Sequence, residues 1–199
     1  MAKYLFLVPV LLIWIYSIHV CSKAKLPFWH FLVGSVGLFI IMVIYVRPVL
    51  TEPLARAVAE ISSIFGNITG VFQANFKYGV IFIGNLKEVI SMQIDFECSG
   101  LLEMIVYISV IAFFPVYSII ERVMVGILGL VYILMTNVIR IIIICYVVHF
   151  FGPDSFNIAH TLIGRIFFYG ASIVLYFLVF TKAQIKRQKV GGFGYNTDH

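Results

Sequence analysis

Long apolar stretches separated by short polar segments set the pattern of this chain. They cover residues 4–20, 28–46, 98–120, 123–151 and 161–180. A helix that crosses the hydrocarbon core of a bilayer needs about 20 mostly apolar residues. The pattern therefore predicts an all-α polytopic membrane protein with about five transmembrane helices, in which residues 1–199 form a single membrane domain.

Residues 48–97, between the second and third stretches, are more polar and begin with a helical pattern. Within residues 52–66, the side chains of Leu54, Val58 and Ile61 fall on one face of a helix. A helix with one apolar face is suited to lie in the membrane interface. We therefore expect an exported amphipathic helix at the start of this insert.

The rest of the insert changes to a period of two. Apolar residues alternate with polar residues on both sides of Gly84-Asn85. Such alternation is typical of strands, and a Gly-Asn pair is suited to a tight turn. The sequence thus predicts a β-hairpin over residues 71–97, whose second strand leads directly into Cys98.

Composition and charge fit a protein that is solvated by lipid. Hydrophobic residues make up 62% of the chain and charged residues 12%, whereas soluble domains carry about 25% charged residues. The net charge of +5 arises largely from basic residues at the ends of apolar stretches, so we expect no nucleic-acid partner. The positive-inside rule places the basic tail, residues 181–199, in the cytoplasm. The N-terminus and residues 48–97 and 151–160 then lie outside the plasma membrane.

Four ionisable positions stand out within or at the ends of the apolar stretches: Glu103, Arg140, His160 and Arg165. Such a residue is costly in a membrane, so each marks a functional site or a structural pair. Arginine stays charged at any relevant pH, and Arg140, with Asn137 beside it, is suited to hold an oxyanion or a phosphate. The alternative for Arg140 is a buried ion pair with Glu103.

Cys98 precedes Ser99 and Gly100 at the start of the third stretch. The dipole of a helix that begins here favours a thiolate, and the amides of Ser99, Gly100 and Leu101 are suited to bind an oxyanion. The simpler interpretation is that Cys98 packs as a small hydrophobic residue at the end of a span. The cysteines show no metal-ligand spacing, so we expect neither a metal nor another cofactor.

His160 lies at the outer end of the fifth stretch, one turn before Gly164. Histidine is the side chain best suited to proton transfer near neutral pH. His149 lies near the same surface and competes for that role, and either histidine is also explained as a polar interfacial residue. Arg165 is one turn deeper than His160 and is suited to pair with Glu103 or to contact an anion.

Cys98, Arg140 and His160 come from three different stretches, and the topology places all three toward one face. In nucleophilic catalysis the cysteine would attack, the histidine would move the proton, and the arginine would stabilise the negative charge. Two other classes fit parts of the pattern. A metal or haem protein would use Cys98 with the histidines, and a small transporter or lipid-binding module would line a polar passage with Glu103, Arg140 and Arg165.

These residues, in this order and spacing, make the chain resemble the exosortase/archaeosortase family of membrane transpeptidases. The resemblance is carried by Cys98-Ser99-Gly100-Leu101 at the start of one stretch, Asn137-Val138-Ile139-Arg140-Ile141 late in the next, and His160 with Gly164 at the start of the last. It covers about residues 95–170.

The resemblance implies a cysteine protease and transpeptidase that sorts exported proteins. Its substrates would end in a short motif, a transmembrane helix and a basic cluster. Cleavage would proceed through a thioester, and the new C-terminus would pass to an acceptor, in archaea a membrane lipid. By matched position, Cys98 would be the nucleophile, Arg140 the family's arginine and His160 the third member. Secondary candidates are Arg165, Glu103, Asn137, Ser99 and Gly100.

Overall fold

The computed structural model describes residues 2–75, 77–84, 89–96 and 98–189, and most of them are helical. The α-helices are α1 (Ala2–Lys23), α2 (Pro27–Tyr45), α3 (Arg47–Thr69), α4 (Leu101–Phe113), α5 (Ile119–Phe151), α6 (Phe156–Ile158), α7 (Gly164–Tyr176) and α8 (Lys182–Lys189). Helices α6, α7 and α8 belong to one helical stretch. It also contains a 3₁₀ turn, Pro153–Ser155, and two π-helical segments, Ala159–Ile163 and Phe177–Thr181. The strands are β1 (Phe72–Asn75), β2 (Val80–Gly84) and β3 (Val89–Gln93).

Three helical stretches in the described part of the chain are long and apolar enough to cross a membrane. They are Pro27–Tyr45, Ile119–Phe151 and Pro153–Ile185. Two apolar helices are shorter, Pro9–Lys23 and Leu101–Phe113. Every predicted apolar stretch therefore contains an apolar helix, which makes this a mostly helical membrane protein.

The third predicted span is wrong in its length. Residues 98–120 contain only α4, which ends at Phe113 and is about 20 Å long at 1.5 Å per residue. Pro115 explains the end, because a proline disfavours the helical conformation in the residue before it, and Phe114 is extended at φ −69° and ψ 120°. Helix α5 then begins at Ile119, earlier than the predicted residue 123, behind a capping box of Ser118 and Glu121.

The connection before the last span also differs from the prediction. Residues 151–160 are expected to form an exported loop, but helical structure resumes at Pro153. Gly152 makes the turn with φ +87°, a value that glycine adopts without steric cost. Proline is well suited to the first position of a helix, so the last helical stretch begins directly after Gly152.

The amphipathic helix predicted over residues 52–66 is part of α3, which packs against β1 and α5. Val58 is fully buried, as its place on the predicted face requires, but Leu54 and Ile61 are only half-buried. Small residues form the centre of the buried face: Ala55, Ala59, Ser62 and Gly66. Close packing against the sheet selects small side chains, and it rotates the buried face away from the predicted one.

The predicted β-hairpin is a three-stranded antiparallel sheet with the order β1-β2-β3. The alternating run before Gly84 is interrupted by a turn at Lys77–Gly79, and Gly79 adopts φ +62°. Alternation continues across this turn, so the period alone does not reveal it. The predicted turn begins where β2 ends, at Gly84, while Asn85 lies outside the described residues. Strand β3 ends at Gln93, and residues 94–96 are irregular, so the second predicted strand stops short of Cys98.

Two hydrophobic cores hold the described part of the molecule together. The first lies between α3, the sheet and the second half of α5, and it includes Ile81, Ile141 and Cys98. The second joins α4, α5 and α7 around Tyr107 and Phe168. Cys98 therefore lies in the core where the sheet meets the helices.

Gly129 allows α4 and α5 to approach each other closely. A Cβ atom at this position would lie 2.1 Å from Cζ of the buried Tyr107 ring. We expect Gly129→Ala to lower the free energy of unfolding by about 1–3 kcal/mol, because the ring must move within a packed core. The measurement is the midpoint of thermal denaturation in detergent. Gly126→Ala is the matched control, since its Cβ would meet nothing within 4 Å, and equal midpoints for the two variants would contradict the prediction.

Candidate active site

The segment between β3 and α4 holds Cys98 through a set of local hydrogen bonds. The amide of Ile94 donates to the carbonyl oxygen of Gly79 at 2.8 Å, which ties the start of the segment to the sheet. The amide of Cys98 donates to Oδ1 of Asp95 at 3.0 Å, and the amide of Ser99 donates to the carbonyl oxygen of Asp95 at 2.9 Å. These bonds close a tight turn, and the Cys98 side chain is buried at its end with 3% exposure.

Asn137 on α5 fixes the same turn from the other side. Its Nδ2 atom donates to the carbonyl oxygen of Cys98 at 2.7 Å, and its side chain is fully buried. Gly100 lies against this amide, because a Cβ atom at Gly100 would be 3.3 Å from Cγ of Asn137. Gly100 also adopts φ +77° as the N-cap of α4. Gly100, predicted beside Cys98, and Asn137, predicted beside Arg140, therefore both shape the turn that carries Cys98.

We expect Gly100→Ala to slow the reaction that the resemblance implies about tenfold, while the protein still inserts in the membrane. The left-handed conformation costs an L-residue about 1–2 kcal/mol, and the methyl group would press on the Asn137 amide that holds Cys98. The matched control is Gly70→Ala, which shares a positive φ of 69° but has nothing within 4 Å of its Cβ position. Rates of substrate processing would be compared at equal protein levels, and equal losses in both variants would assign the effect to backbone strain alone.

His160 lies directly against Cys98. The Nε2 atom of His160 is 2.8 Å from Sγ of Cys98. His160 belongs to the π-helical segment Ala159–Ile163, a type of irregularity that often occurs at functional sites because it re-aims side chains. Its ring also stacks on Phe156, with centroids 5.7 Å apart and planes 11° apart.

Gly164 brings the last helical stretch close to α5 at the level of His160. Its amide donates to the carbonyl oxygen of Ala159, which closes the π-helical turn. A Cβ atom at Gly164 would lie 2.9 Å from Cδ1 of Ile144 on α5. The glycine predicted one turn after His160 therefore contributes by letting the two helices meet.

Arg140 lies one turn beyond Asn137 on α5, on the side of the helix that reaches Cys98. It is buried, with 3% exposure, and its guanidinium carbon lies 5.6 Å from the centre of the Phe168 ring. Arg140 lines a cavity of about 280 Å³. The described residues around this cavity are Phe96, Leu102, Glu103, Arg140, Arg165 and Tyr169, so three of the four predicted ionisable residues meet there.

Glu103 and Arg140 line the same cavity, and an ion pair between them stays a prediction. The expected oxyanion site at the amides after Cys98 is wrong. The amides of Ser99 and Leu101 are engaged, the first by Asp95 and the second by the Ser99 hydroxyl at 3.4 Å. Because these bonds close the turn, at most the amide of Gly100 remains available to bind an oxyanion.

His149 is directed away from this site. Its Nδ1 atom contacts the carbonyl oxygen of Gly84 at the end of β2. Across the described ranges, no group of three or more His, Cys, Asp or Glu residues is arranged to hold a metal ion. The histidine that meets Cys98 is thus His160, and the two predicted competitors have different neighbours.

The structure adds three residues that the sequence pattern does not indicate. Asp95 binds the amide of Cys98, Phe156 stacks on His160, and the Arg47 guanidinium carbon lies 3.9 Å from the centre of the Phe96 ring. Only Asp95 has a local signal, since aspartate commonly accepts a hydrogen bond from an amide a few residues later in a turn. Arg47 and Phe96 are far apart in the chain, whereas Phe156 and His160 lie four residues apart in one helical stretch.

A buried thiol in contact with an imidazole, next to a helix that carries a buried guanidinium, is an arrangement suited to a cysteine nucleophile and its base. The fold and the site thus define a class, a polytopic membrane protein with a cysteine–histidine centre. The chain belongs to the transmembrane exosortase family, whose family model matches residues 1–178. No curated protein and no solved structure gives a significant match. The resemblance seen in the sequence is therefore confirmed, and the family implies exported protein substrates with C-terminal sorting signals.

Proposed function

We propose that this protein is a cysteine-dependent transpeptidase that removes the C-terminal sorting signal of exported proteins and transfers the new C-terminus to an acceptor, a membrane lipid. The observation that carries the proposal is the contact of 2.8 Å between Sγ of Cys98 and Nε2 of His160. This distance allows direct transfer of a proton from the thiol to the imidazole. Membership in the transmembrane exosortase family supports the same type of reaction.

The first half of the reaction forms a thioester. His160 accepts the thiol proton through Nε2, and the Cys98 thiolate adds to the scissile carbonyl carbon. The tetrahedral intermediate collapses as the C–N bond breaks, and the leaving amine takes the proton from His160. The products are an acyl-enzyme at Cys98 and a released C-terminal signal with a new amino terminus.

The second half regenerates the enzyme. A hydroxyl or amine of the acceptor loses its proton to His160 and adds to the thioester carbon. Collapse of this intermediate breaks the C–S bond, and the proton returns from His160 to the Cys98 sulfur. Because the same imidazole acts first as base and then as acid, one histidine serves both halves.

Arg140 stabilises the negative charge that develops on the carbonyl oxygen. It cannot act as a base, because its guanidinium remains protonated. A buried cation stabilises a nearby negative charge more strongly than an exposed one, since its surroundings screen the charge less than water does. Asn137 is a positioning residue, which holds the Cys98 carbonyl and lies one helical turn from Arg140. Arg165 and Glu103 share the cavity of Arg140 and are secondary candidates for substrate contact.

The basic tail supports the proposal that the site lies at the outer face of the plasma membrane. Residues Lys182 and Arg187 follow the last apolar stretch, and such residues remain in the cytoplasm. Cys98 lies at the opposite end of the bundle, after the insert over residues 48–97. An exported protein that is still anchored by its own C-terminal helix would present its scissile bond at that level.

The test is coexpression with a tagged exported protein of the same organism that ends in an apolar helix and a basic cluster. We expect the substrate to lose its C-terminal segment only when this protein is present. Mass spectrometry would then identify the mature C-terminus. An added lipid mass supports transfer to a lipid, and a free carboxyl group identifies water as the acceptor. Full-length substrate in membranes that contain both inserted proteins would contradict the proposal.

A further inference from the structure

Strand β3 is an edge of the sheet in the described part of the chain. It pairs with β2 alone, in the register Val80 with Gln93 through Gly84 with Val89. The opposite edge, β1, is packed against α3. An exposed edge carries unpaired backbone N–H and C=O groups, and it is a template for another extended chain.

The register shows which backbone groups of β3 point outward. The amide of Ile94 donates to Gly79, one position beyond the last pair of the β2–β3 ladder. In an antiparallel ladder, residues that bond to the neighbouring strand alternate with residues that do not. The backbone groups of Met92 therefore face β2, whereas those of Ser91 and Gln93 face away from it. The side chains of Ser91 and Gln93 are also exposed.

This edge is continuous with the proposed nucleophile. Gln93 is followed by the segment in which Ile94 is bonded to the sheet and Asp95 holds the amide of Cys98. The position of Cys98 relative to β3 is thus fixed by hydrogen bonds at both ends of a short connection. A chain bound along β3 would be held at a defined distance from the Cys98 sulfur.

We propose that an extended segment of the protein substrate, next to its scissile bond, binds as a fourth strand along β3. The inference rests on the proposed function. The substrate is the occupant that the geometry favours, because it must reach Cys98 in an open, extended form and β3 leads to that residue. Main-chain hydrogen bonds to Ser91 and Gln93 would supply affinity, and alternate substrate side chains would supply specificity.

Proline substitutions on β3 test this inference. Ser91→Pro and Gln93→Pro each remove an outward-facing N–H group while leaving the bonds of Met92 to β2, and edge strands tolerate proline at such positions. We expect at least a tenfold lower rate of substrate processing in each proline variant. The matched variants, Ser91→Ala and Gln93→Ala, retain the N–H group, and each should lose much less activity than its proline counterpart.

Cross-linking in the otherwise unchanged protein keeps the test decisive even if a proline variant misfolds. A photoreactive p-benzoylphenylalanine at Ser91 should cross-link the tagged substrate within a few residues of its cleavage site. The control position is Gln73, which is in register with Phe82 and through it with Ser91, but lies on the far strand of the sheet. Equal cross-linking at Gln73 and Ser91, or processing that is unchanged in both proline variants, would overturn the inference.

The outcomes separate this inference from the proposed function. If Cys98→Ala abolishes processing while the proline variants process normally, the proposed function stands and strand addition fails. If Cys98→Ala processes the substrate normally, the proposed function itself fails.

Discussion

Cys98→Ala is expected to abolish processing of a coexpressed substrate, with a loss of at least about 10³-fold, because removal of a nucleophile leaves only binding and charge stabilisation. The variant should still insert and retain its thermal midpoint in detergent. Alanine fills most of the space of a cysteine, and the turn around residue 98 is held by backbone bonds from Asp95 and Asn137.

Cys145→Ala is the matched control for this prediction. Cys145 is also a buried cysteine on an apolar helix, with 0% exposure, but its thiol has no histidine partner among the contacts of the described residues. We expect a normal rate of processing for Cys145→Ala after correction for protein level. Equal activity of the Cys98→Ala and Cys145→Ala variants would exclude a cysteine mechanism at Cys98.

The second large effect is expected for His160→Gln. A glutamine retains some hydrogen-bonding capacity but cannot carry the proton, so we expect processing to fall by about 10²–10⁴-fold. A second readout separates chemistry from structure. Alkylation of Cys98 by iodoacetamide near neutral pH should slow and its pH profile should change, because the imidazole that takes up the thiol proton is absent.

His149→Gln provides the comparison on the same face of the molecule. His149 contacts the end of β2, so its loss should leave the alkylation rate of Cys98 and its pH profile unchanged. If His160 had a purely structural role, His160→Gln would lower the amount of folded protein. The pH profile of Cys98 alkylation in the remaining folded protein would then be unchanged. That pattern would contradict the assignment of His160 as the base.

Helices were predictable from the sequence because long apolar stretches have one stable form in a bilayer. What the stretches do not reveal is where a helix stops inside an apolar run. The end of α4 depends on Pro115, which makes Phe114 extended although both residues fit an apolar segment. The sheet differs for a related reason, because the turn at Gly79 leaves the alternation of side chains unbroken.

The site could be assembled in part from the sequence because its residues are unusual in their surroundings. Cys98 and His160 stand at the ends of apolar stretches, and the topology brings those ends to one face. Their contact depends on the π-helical turn at His160 and on the close approach of Gly164 to Ile144. Neither feature has a signal in the hydrophobic pattern.

The predicted amide site for an oxyanion failed for a local reason. That prediction requires a helix that starts at Cys98 with its first amides available. In the structure the helix starts at Leu101, and Asp95 and the Ser99 hydroxyl engage two of the three amides. This outcome increases the importance of Arg140 as the group that stabilises negative charge in the proposed reaction.

The most direct test of the account is the isolation of an acyl adduct on Cys98. Membranes that contain the protein and its tagged substrate would be quenched in acid during turnover, digested and analysed by mass spectrometry. The account predicts that the peptide containing Cys98 carries the new C-terminus of the substrate through a bond that hydroxylamine cleaves. Turnover without this adduct, or an adduct found at Cys145 instead, would contradict it.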